Sequence, residues 1–291
     1  MAQMDRRDFL KLAGVGGVVF ASGLYPQASQ AQADDFFFVQ LSDTHWGFEG
    51  PPNPDAKVTL KKAVAAVNSL EKQPDFIVFT GDLTHTTDDP KLRRQRLAEF
   101  KEIVGELKVK TVRFMPGEHD ASLDRGAAYQ EFFGKTHYTF DHKGVHFIVV
   151  DNVSDPAAAI GDEQLAWMEA DLKQLAKDQR IVVLTHRPLF DLYPQWDWAT
   201  KDGDKAMALL MPYKNVTVFY GHIHQENHHT TGHIAHHAAK SLIFPLVAPG
   251  SQPKRAPVAW NAAEPYKGLG FREINSKQGE LAVTEFPVQK G

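Results

Sequence analysis

Histidines and carboxylates with the chemistry of metal ligands occur in five short clusters of this sequence. The clusters are Asp43 with His45, Gly81-Asp82, Gly117-Glu118-His119-Asp120, His186, and Gly221-His222-Ile223-His224. Imidazole nitrogens mixed with carboxylate oxygens suit Zn, Fe or Mn, and are too rich in nitrogen for Ca or Mg. The sequence contains no cysteine, which excludes a thiolate ligand, a thiolate nucleophile and a disulfide. The pattern therefore indicates transition metals held by histidine and carboxylate.

Each cluster follows a short apolar segment with the composition of a β-strand. The predicted strands are Phe36–Leu41, Phe76–Thr80, Val112–Met115, and residues 146–151, 181–185 and 216–220. Between them, residues 57–72, 90–107 and 162–177 carry apolar side chains at helical spacing. This alternation is typical of an α/β domain, in which ligands bind at the carboxyl ends of strands. The clusters are thus predicted to meet in one cleft although they lie far apart in the sequence.

The last third of the sequence has a different pattern. Short β-prone segments at residues 243–247, 271–274 and 281–286 predict hairpins and antiparallel strands that close a second sheet. No linker or repeat divides residues 34–291, which we interpret as one domain. This region also contains a run of five histidines: His228, His229, His233, His236 and His237. The run is either an accessory metal-collecting surface or substrate rim, or the polar face of a hairpin that turns at Thr230-Thr231-Gly232.

The first 33 residues have the pattern of an export signal rather than of folded structure. Arg6-Arg7 is followed by an apolar pair and Lys11, then by a weakly apolar stretch too short to cross a membrane. The tripeptide that ends at Ala33 matches the small-x-small pattern cut by signal peptidase. We therefore expect a twin-arginine signal at residues 1–33, recognition by the twin-arginine export machinery, no permanent membrane span, and a periplasmic or secreted chain. The formal net charge of −4 argues against a basic groove for a nucleic-acid duplex.

In this order, the five clusters resemble the motif blocks of the calcineurin-like metallophosphoesterases. That superfamily includes purple acid phosphatases and a class of cyclic nucleotide phosphodiesterases. Its blocks are Asp-x-His, Gly-Asp, Gly-Asn-His-Asp/Glu, a lone His, and Gly-His-x-His, and the similarity covers residues 36–251. The resemblance implies an α/β fold, a four-layer αββα sandwich with two mixed β-sheets. It also implies a metal-dependent phosphoric ester hydrolase.

The resemblance further implies a ligand set for two divalent or mixed-valence ions of Fe, Mn or Zn. One metal would be held by Asp43, His45 and His224, the other by Glu118, His186 and His222, with Asp82 bridging both. Two cations about 3.5 to 4 Å apart turn a shared water into hydroxide near neutral pH. They also stabilise both the attacking and the leaving oxygen of an in-line displacement.

Several neighbouring residues are candidates for roles in catalysis or substrate binding. By resemblance, His119 is the general acid that protonates the leaving oxygen, and Asp120 orients its ring. Arg187 either donates to a substrate phosphate oxygen or is a solvated surface arginine. His85 and the loop at residues 193–198 are expected to border the cleft, where the two tryptophans of the loop either stack on a substrate or pack inside the protein.

Glu118 departs from the family pattern, which has asparagine at this position. The extra negative charge either makes the second site prefer a harder ion such as Fe(III), or weakens its water as a nucleophile. We expect an exported dinuclear enzyme that hydrolyses a small phosphate ester, either a monoester or a diester, with nucleotides and cyclic nucleotides among the candidates. The alternative is a non-catalytic metal-binding protein with the same fold, altered by Glu118 and the histidine-rich hairpin.

Overall fold

The apolar segments predicted as strands form the centre of two β-sheets that pack face to face. The computed structural model describes residues 35–277 and 280–289. Within these residues, the first sheet has the strand order β11-β10-β1-β2-β3 and the second the order β4-β5-β6-β7-β9-β8. The first sheet comprises β1 Phe36–Leu41, β2 Phe76–Thr80, β3 Val112–Met115, β10 Gly270–Lys277 and β11 Glu280–Pro287. The second comprises β4 Tyr138–His142, β5 Val145–Val149, β6 Arg180–Leu184, β7 Asn215–Tyr220, β8 Asn227–Thr231 and β9 Ile234–Ala238.

Both sheets are mixed, with a parallel centre and antiparallel edges. Strands β1, β2 and β3 run parallel, and β10 joins β1 in antiparallel register. Strands β5, β6, β7 and β9 are also parallel, with β4 and β8 antiparallel at the two edges. All carboxyl ends of the parallel strands within a sheet therefore lie at one edge, where a shared cleft can form.

The helices cover the outer faces of the two sheets. They are α1 Ala56–Asn68, α2 Pro90–Gly105, α3 Glu118–Ala121, α4 Ala127–Phe133, α5 Asp162–Leu172 and α6 Gly203–Leu210. Helix α2 starts where the sequence predicts it, because the Asp89 side chain accepts hydrogen bonds from the N–H groups of Lys91 and Leu92. None of the helices in the described ranges combines the length and apolar character needed to cross a membrane.

Three apolar layers show how the sandwich is built. Strand β1 is buried along its whole length: Phe37, Val39 and Leu41 pack toward α1 and α2, and Phe36 and Phe38 pack toward the second sheet. Between the sheets, the ring of Phe38 on β1 meets that of Phe147 on β5 edge to face, with centroids 5.8 Å apart. A third layer packs α5 and α6 against the second sheet. Because β1 is buried on both faces, its sequence is apolar at every position except Gln40, whose side-chain amide donates to Thr80 Oγ1 and to the carbonyl of Tyr220. The predicted four-layer αββα sandwich is confirmed.

Some predicted boundaries are wrong by a few residues. Helix α1 ends at Asn68 and α5 at Leu172, earlier than predicted, because Leu70 and Leu175 donate to carbonyls only three residues back and so form tight turns. Helix α2 similarly ends at Gly105. Strand β5 ends before Asp151, whose carboxylate accepts hydrogen bonds from the next residues and forces a turn.

The C-terminal region also differs from its prediction. Residues 243–247 form no strand; Leu246 makes a single bridge to Pro257, and Pro245 and Pro257 have no N–H to extend the pairing. The hairpin of β8 and β9 extends the second sheet, as expected. The hairpin of β10 and β11 instead joins the first sheet, next to β1.

Candidate metal centre

The carboxyl ends of five strands bring the predicted clusters together. Asp43 follows β1, Asp82 follows β2, Glu118 follows β3, His186 follows β6 and His222 follows β7. Two groups of three residues each have candidate ligand atoms within 4.8 Å of one another. The first group is Asp43, His45 and His224, and the second is Glu118, His186 and His222. We call them the first triad and the second triad.

The backbone at these strand ends is strained. Five of the nine non-glycine residues with positive φ in the described ranges belong to the predicted ligand set, with φ between 42° and 66°. They are Asp43, His45, Asp82, His222 and His224. A left-handed conformation at a non-glycine residue costs about 1 to 3 kcal/mol and persists only where the surroundings impose it. The strain is concentrated where the side chains converge.

Two glycines are required because ligand side chains approach their α-carbons closely. A Cβ on Gly117 would overlap the carboxylate of Asp82, and a Cβ on Gly81 would overlap the ring of His186. Both contacts are with groups of the predicted ligand set, which cannot shift without moving the site. The Gly-Asp and Gly-Glu pairs seen in the sequence therefore allow tight packing as well as a turn.

The first triad has its nitrogen lone pairs directed inward. His224 Nδ1 donates to the carbonyl of Phe244 over 2.8 Å, so its Nε2 carries the free lone pair. That Nε2 lies 3.2 Å from His45 Nε2 and 3.4 Å from Asp43 Oδ1. The Asp43 carboxylate also accepts from the His222 N–H at 3.1 Å, which fixes its position.

The second triad is arranged around the Glu118 carboxylate. Its Oε2 lies 2.9 Å from His186 Nε2, and its Oε1 lies 2.9 Å from His222 Nδ1. His186 Nδ1 donates to the carbonyl of Thr80 over 2.7 Å, so its Nε2 lone pair also faces the centre. Each oxygen of Glu118 therefore faces one imidazole.

Asp82 lies between the two triads. Its Oδ2 is 3.4 Å from His45 Nε2 and 3.4 Å from His186 Nε2, one histidine of each triad. Its Oδ1 accepts a hydrogen bond from the His119 N–H over 2.9 Å, which fixes the carboxylate. This is the placement that a bridging carboxylate requires.

Buried polar atoms without hydrogen-bond partners show that the side chains fit metal ions. His186 Nε2, His222 Nδ1 and Glu118 Oε2 are buried, and the 2.9 Å contacts between these imidazoles and the Glu118 carboxylate lack hydrogen-bond geometry. Such atoms are rare in folded proteins because each costs the free energy of desolvation. Cations held by these atoms would satisfy all of them, and the set of three carboxylates and four histidines has the hardness expected for Fe, Mn or Zn.

The ionisation of the site also matches a set of metal ligands. Burial raises the pKa of Glu118, but the charges of His222 and His186 outweigh it and hold that pKa well below the ordinary value. Burial, and then the charge of His119, lowers the pKa of His45 well below its usual range. Glu118 is thus ionised and His45 neutral, the forms that bind metal. Burial lowers the pKa of His186, but the charges of Asp82 and Glu118 outweigh it and hold that pKa well above the ordinary value, so a cation bound there would replace the His186 proton.

His119 lies at the mouth of the site with a defined tautomer. Its Nδ1 accepts a hydrogen bond from the Thr86 N–H over 3.2 Å, so the proton of the neutral ring is on Nε2. Nε2 lies 4.0 Å from Asp82 Oδ2, and the side chain is 26% exposed. His119 can therefore present a proton to a group bound in the cleft.

Asp120 does not orient the ring of His119, which corrects the prediction from resemblance. Its carboxylate accepts hydrogen bonds from the N–H groups of Gly117, Leu83 and Thr84. It therefore ties the loop after β2 to the loop after β3. Burial, together with the charge of Asp82, raises the pKa of Asp120 to about 7, against the effect of these donors.

The two predicted substrate contacts lie in different places. His85 borders the cleft, with its ring 5.0 Å from that of His119. Arg187 is buried and does not line the cleft; its Nε donates to the carbonyl of Ala199 over 3.2 Å, and its Nη2 donates to the carbonyls of Asp197 and Ala199. Arg187 is therefore neither a solvated arginine nor a substrate contact, because its guanidinium holds the 197–199 loop.

The remaining candidates, the tryptophan loop and the histidine-rich hairpin, match the structural alternative rather than the functional one. Trp196 and Trp198 are buried with Tyr220 and Ile223, so the two tryptophans of the 193–198 loop pack inside the protein, although Asp197 between them is exposed. In the β8–β9 hairpin, His228 and His229 face His237 and His236 across the two strands. Among the described residues, no group of three ligand atoms forms there. This geometry matches the polar hairpin rather than the accessory metal surface.

Four residues that line the cleft were not predicted from the sequence. They are Phe244, Leu246, Arg255 and Pro257. All four come from the C-terminal segment that was predicted as part of a strand and its following loop. Arg255 is exposed and is an arginine that lines the cleft, but no motif surrounds it in the sequence.

Comparison with known proteins agrees with this geometry. The model of the calcineurin-like phosphoesterase family matches residues 38–226. A serine/threonine-protein phosphatase CPPED1 of Danio rerio is 25% identical over 230 residues, which cover 70% of this chain and 74% of the relative. A probable cyclic nucleotide phosphodiesterase of Rhodococcus erythropolis is 29% identical over 164 residues, which cover 53% of this chain and 52% of the relative. The chain thus aligns with about half the length of the second relative.

Solved structures show the same fold at low sequence identity. A purple acid phosphatase from yellow lupin (Lupinus luteus) superposes with a TM-score of 0.66 at 15% identity, covering 90% of this chain and 53% of that one. A dimetal phosphatase from Danio rerio superposes with a TM-score of 0.55 at 13% identity, covering 87% and 99%. The family match spans more than half of the chain and includes all seven predicted ligands. The chain belongs to the calcineurin-like phosphoesterase family, and its fold is that of a metal-dependent phosphoesterase.

Proposed function

We propose that this protein is an exported phosphoesterase that uses two metal ions to hydrolyse phosphomonoesters or phosphodiesters. The observation that carries the proposal is the pair of triads with Asp82 3.4 Å from a histidine of each. In this proposal the first triad and the second triad would each hold one ion of Fe, Mn or Zn, and Asp82 is the carboxylate placed to contact both. A site of this kind serves phosphate esters because it presents two adjacent positive charges to a phosphate group.

The side chains around the metals have distinct tasks in the proposal. Two bound cations would supply an activated water and would stabilise the charge on the phosphate oxygens. His119 donates its Nε2 proton to the leaving oxygen, because the Thr86 N–H engages Nδ1 and leaves Nε2 as the donor. His85 packs beside His119 at 5.0 Å and limits the space that a substrate has at this side of the cleft.

Arg255 takes the role that the sequence predicted for Arg187. It lines the cleft together with His85 and His119, and it is exposed, so its guanidinium is accessible to a substrate. A guanidinium binds phosphate oxygens with two parallel charge-assisted hydrogen bonds. Arg255 would therefore hold a phosphate oxygen that the metals do not contact.

The substrate class follows from the site and is supported by the names of the relatives. One relative is named a protein phosphatase and another a probable cyclic nucleotide phosphodiesterase. A third is named a probable glycerophosphodiester phosphodiesterase GpdQ, from Arcobacter nitrofigilis, at 26% identity over 162 residues that cover 56% of it. These names share the cleavage of a phosphate ester, so small monoesters and diesters, nucleotides among them, are the substrates to test.

Export is a separate part of the proposal and rests on the sequence of residues 1–33, which lie outside the described residues. Arg6-Arg7 supports the twin-arginine route and a periplasmic or secreted chain. The full chain is expected outside the cytoplasm when expressed in a bacterium with this export system. Replacement of both arginines by lysine should leave the protein inside; equal export of the two forms would contradict this route.

A hydrolysis assay tests the enzymatic proposal. Mature chain, residues 34–291, is loaded with Mn, Fe or Zn and given a chromogenic phosphomonoester and the matching diester. Release of the chromophore that depends on metal, and that is lost in His119→Ala with metal content unchanged, is the expected result. Two tightly bound ions without release from either ester would support the non-catalytic metal-binding protein instead.

A further inference from the structure

We propose that His85 is a positioning residue that fixes the metal-binding tautomer of His45, a member of the first triad, and so sets the affinity of that triad for its ion. The inference rests on the proposed function, because it assigns an ion to the first triad. The observation that carries it is a hydrogen bond between the two rings, in which His85 Nδ1 lies 3.4 Å from His45 Nδ1. His85 thus contacts a metal ligand from its position at the edge of the cleft.

The direction of this hydrogen bond follows from the surroundings of the other nitrogen of His45. His45 Nε2 lies 3.2 Å from His224 Nε2 and 3.4 Å from Asp82 Oδ2, so it faces the point where the ligand atoms converge. A neutral imidazole has one proton, and the nitrogen that binds a metal has none. In the metal-binding form the proton of His45 is therefore on Nδ1, and His85 Nδ1 accepts the hydrogen bond. The proton of the neutral His85 ring is then on Nε2.

His45 differs from two other histidines of the ligand set in what holds its second ring nitrogen. His224 Nδ1 and His186 Nδ1 each donate to a backbone carbonyl, at 2.8 Å and 2.7 Å. In the part of the chain that the structure describes, His45 Nδ1 has no backbone acceptor, and the His85 ring takes that place. The orientation of His45 therefore depends on a side chain that a substitution can remove.

Both the backbone and the ring of His85 are held in place, as this role requires. The His85 N–H donates to the carbonyl of Trp46 over 2.9 Å, and the His85 carbonyl accepts a hydrogen bond from Arg96 Nη1 over 2.7 Å. The ring of His85 meets that of Phe48 edge to face, with centroids 5.1 Å apart, and lies 5.0 Å from the ring of His119. These two aromatic neighbours limit rotation of the His85 ring.

The hydrogen bond raises the affinity of the first triad for a cation in two ways. It holds the His45 ring in one orientation with the lone pair of Nε2 free, and donation of the Nδ1 proton makes Nε2 a more basic ligand. Loss of such a supporting contact costs about 10-fold to 100-fold in metal affinity. In the described ranges His85 forms no hydrogen bond with the second triad, so the effect is confined to one of the two ions.

A direct role of His85 as a metal ligand is the alternative that the geometry disfavours. His45, His85 and His119 form a group whose candidate ligand atoms lie within 4.8 Å of one another. His119 Nδ1, however, already accepts a hydrogen bond from the Thr86 N–H. A His45 ring that binds one ion through Nε2 must also lose its last proton before Nδ1 can bind another. A hydrogen bond to His85 requires no such loss.

Metal titration of two variants with side chains of similar size tests this inference without relying on turnover. In His85→Asn an amide oxygen can still accept the His45 proton, whereas His85→Leu leaves no acceptor. Metal-free mature chain is titrated calorimetrically with Mn at pH 8, where an ordinary imidazole is neutral. His85→Leu is expected to weaken the binding of one ion about tenfold or more and leave the other unchanged, while His85→Asn binds both within about threefold of the parent.

A second histidine provides the control for loss of a half-buried imidazole. His137 is half-buried like His85 but packs against Trp167, with ring centroids 4.8 Å apart, and does not line the metal cleft. His137→Leu should bind both ions as the parent does. A parent-like titration of His85→Leu would overturn the inference, as would equal losses in His85→Leu and His85→Asn. A third ion per chain that both His85 variants lose would make His85 a ligand and would also overturn it.

Kinetics with a chromogenic phosphomonoester separate this inference from the proposed function. At saturating Mn the KM of His85→Leu should equal that of the parent, because the lost contact is to a ligand and not to the substrate. A raised KM with unchanged metal affinity would make His85 a substrate contact, which overturns the inference and keeps the proposed function. If the parent binds no metal and hydrolyses no ester, the proposed function fails and the inference fails with it.

Discussion

Glu118 is the single residue whose charge most affects the proposed chemistry. Its two oxygens lie 2.9 Å from His186 Nε2 and 2.9 Å from His222 Nδ1. With Asp43 and Asp82 it gives the site three carboxylates, where the family pattern has two carboxylates and an amide. The additional negative charge strengthens the binding of cations and reduces the attraction that the same cations exert on a phosphate.

We predict opposite results for two substitutions that each replace a carboxylate by an amide. Glu118→Asn should keep kcat or raise it, because an amide oxygen still binds metal and one negative charge is removed. Asp82→Asn should lower kcat by about 100-fold or more, since loss of a supporting contact alone costs about 10-fold to 100-fold. Steady-state kinetics with matched metal loading measure both. Parent-like activity in both variants would show that the assigned site is wrong.

Arg255 supplies a second prediction, which concerns substrate affinity. Arg255→Ala should raise the KM for a phosphomonoester about tenfold, the effect expected for one charge-assisted hydrogen bond, with little change in kcat. Lys254→Ala is the control, because the neighbouring lysine is also exposed but does not line the cleft. Equal effects of the two substitutions would indicate general electrostatic attraction rather than a contact.

The role of a residue could be predicted from the sequence where its side chain contacts other side chains. It could not be predicted where the side chain contacts the backbone. The seven predicted ligands come together around Asp82, as the order of the motifs indicated. Asp120 and Arg187 were assigned wrongly because their partners are N–H groups and carbonyls of the backbone. Nothing in the sequence marks such partners.

At the scale of structural elements, the β8–β9 hairpin has a role in stability rather than in metal binding. His236 lies on β9 with both ring nitrogens buried and unpartnered, and its ring contacts that of Phe190 at 5.0 Å. Burial lowers the pKa of His236 to about 4, and burial likewise lowers the pKa of His237 to about 4. Both side chains are neutral in the folded protein at pH 7.

Because these two buried histidines resist protonation, we predict that the folded protein loses stability in acid. Between pH 6.5 and pH 4 the unfolded chain binds protons at these positions and the folded chain does not, so the free energy of unfolding falls as the pH falls. Each histidine contributes up to about 1.4 kcal/mol per pH unit. His236→Phe should remove one of these contributions and be more stable than the parent, increasingly so toward pH 4.

Urea unfolding of the metal-free chain at several pH values measures this difference. Thr230→Gln, at an exposed position on β8 of the same hairpin, is the control and should follow the parent. A stability difference between His236→Phe and the parent that does not change with pH would contradict the role assigned to burial of the imidazole.

Strands with a strong apolar pattern could be predicted from the sequence, whereas short or irregular segments could not. β1 is apolar at five of its six residues and was predicted with its observed bounds, because burial on both faces leaves an unambiguous pattern. β4, only partly buried in its first three residues, was missed because its pattern is weak. Residues 243–247 were predicted as a strand, yet Pro245 limits pairing, and Phe244 and Leu246 of this segment line the metal cleft instead.

At the scale of the whole molecule, the two sheets divide the ligand set between them. Asp43, Asp82 and Glu118 follow strands of the first sheet, whereas His186 and His222 follow strands of the second. Packing of the apolar layer between the sheets is therefore what brings carboxylates and histidines together. The family match at residues 38–226 contains both halves of this arrangement.

The metal content of the mature chain tests the central claim most directly. Purified residues 34–291, equilibrated with Mn, Fe or Zn and freed of unbound ions, should contain two ions per chain by elemental analysis, and Asp82→Asn should contain fewer. Two ions are predicted because each triad offers one carboxylate and two histidines around a shared Asp82. One ion or none per chain with every metal would contradict the account.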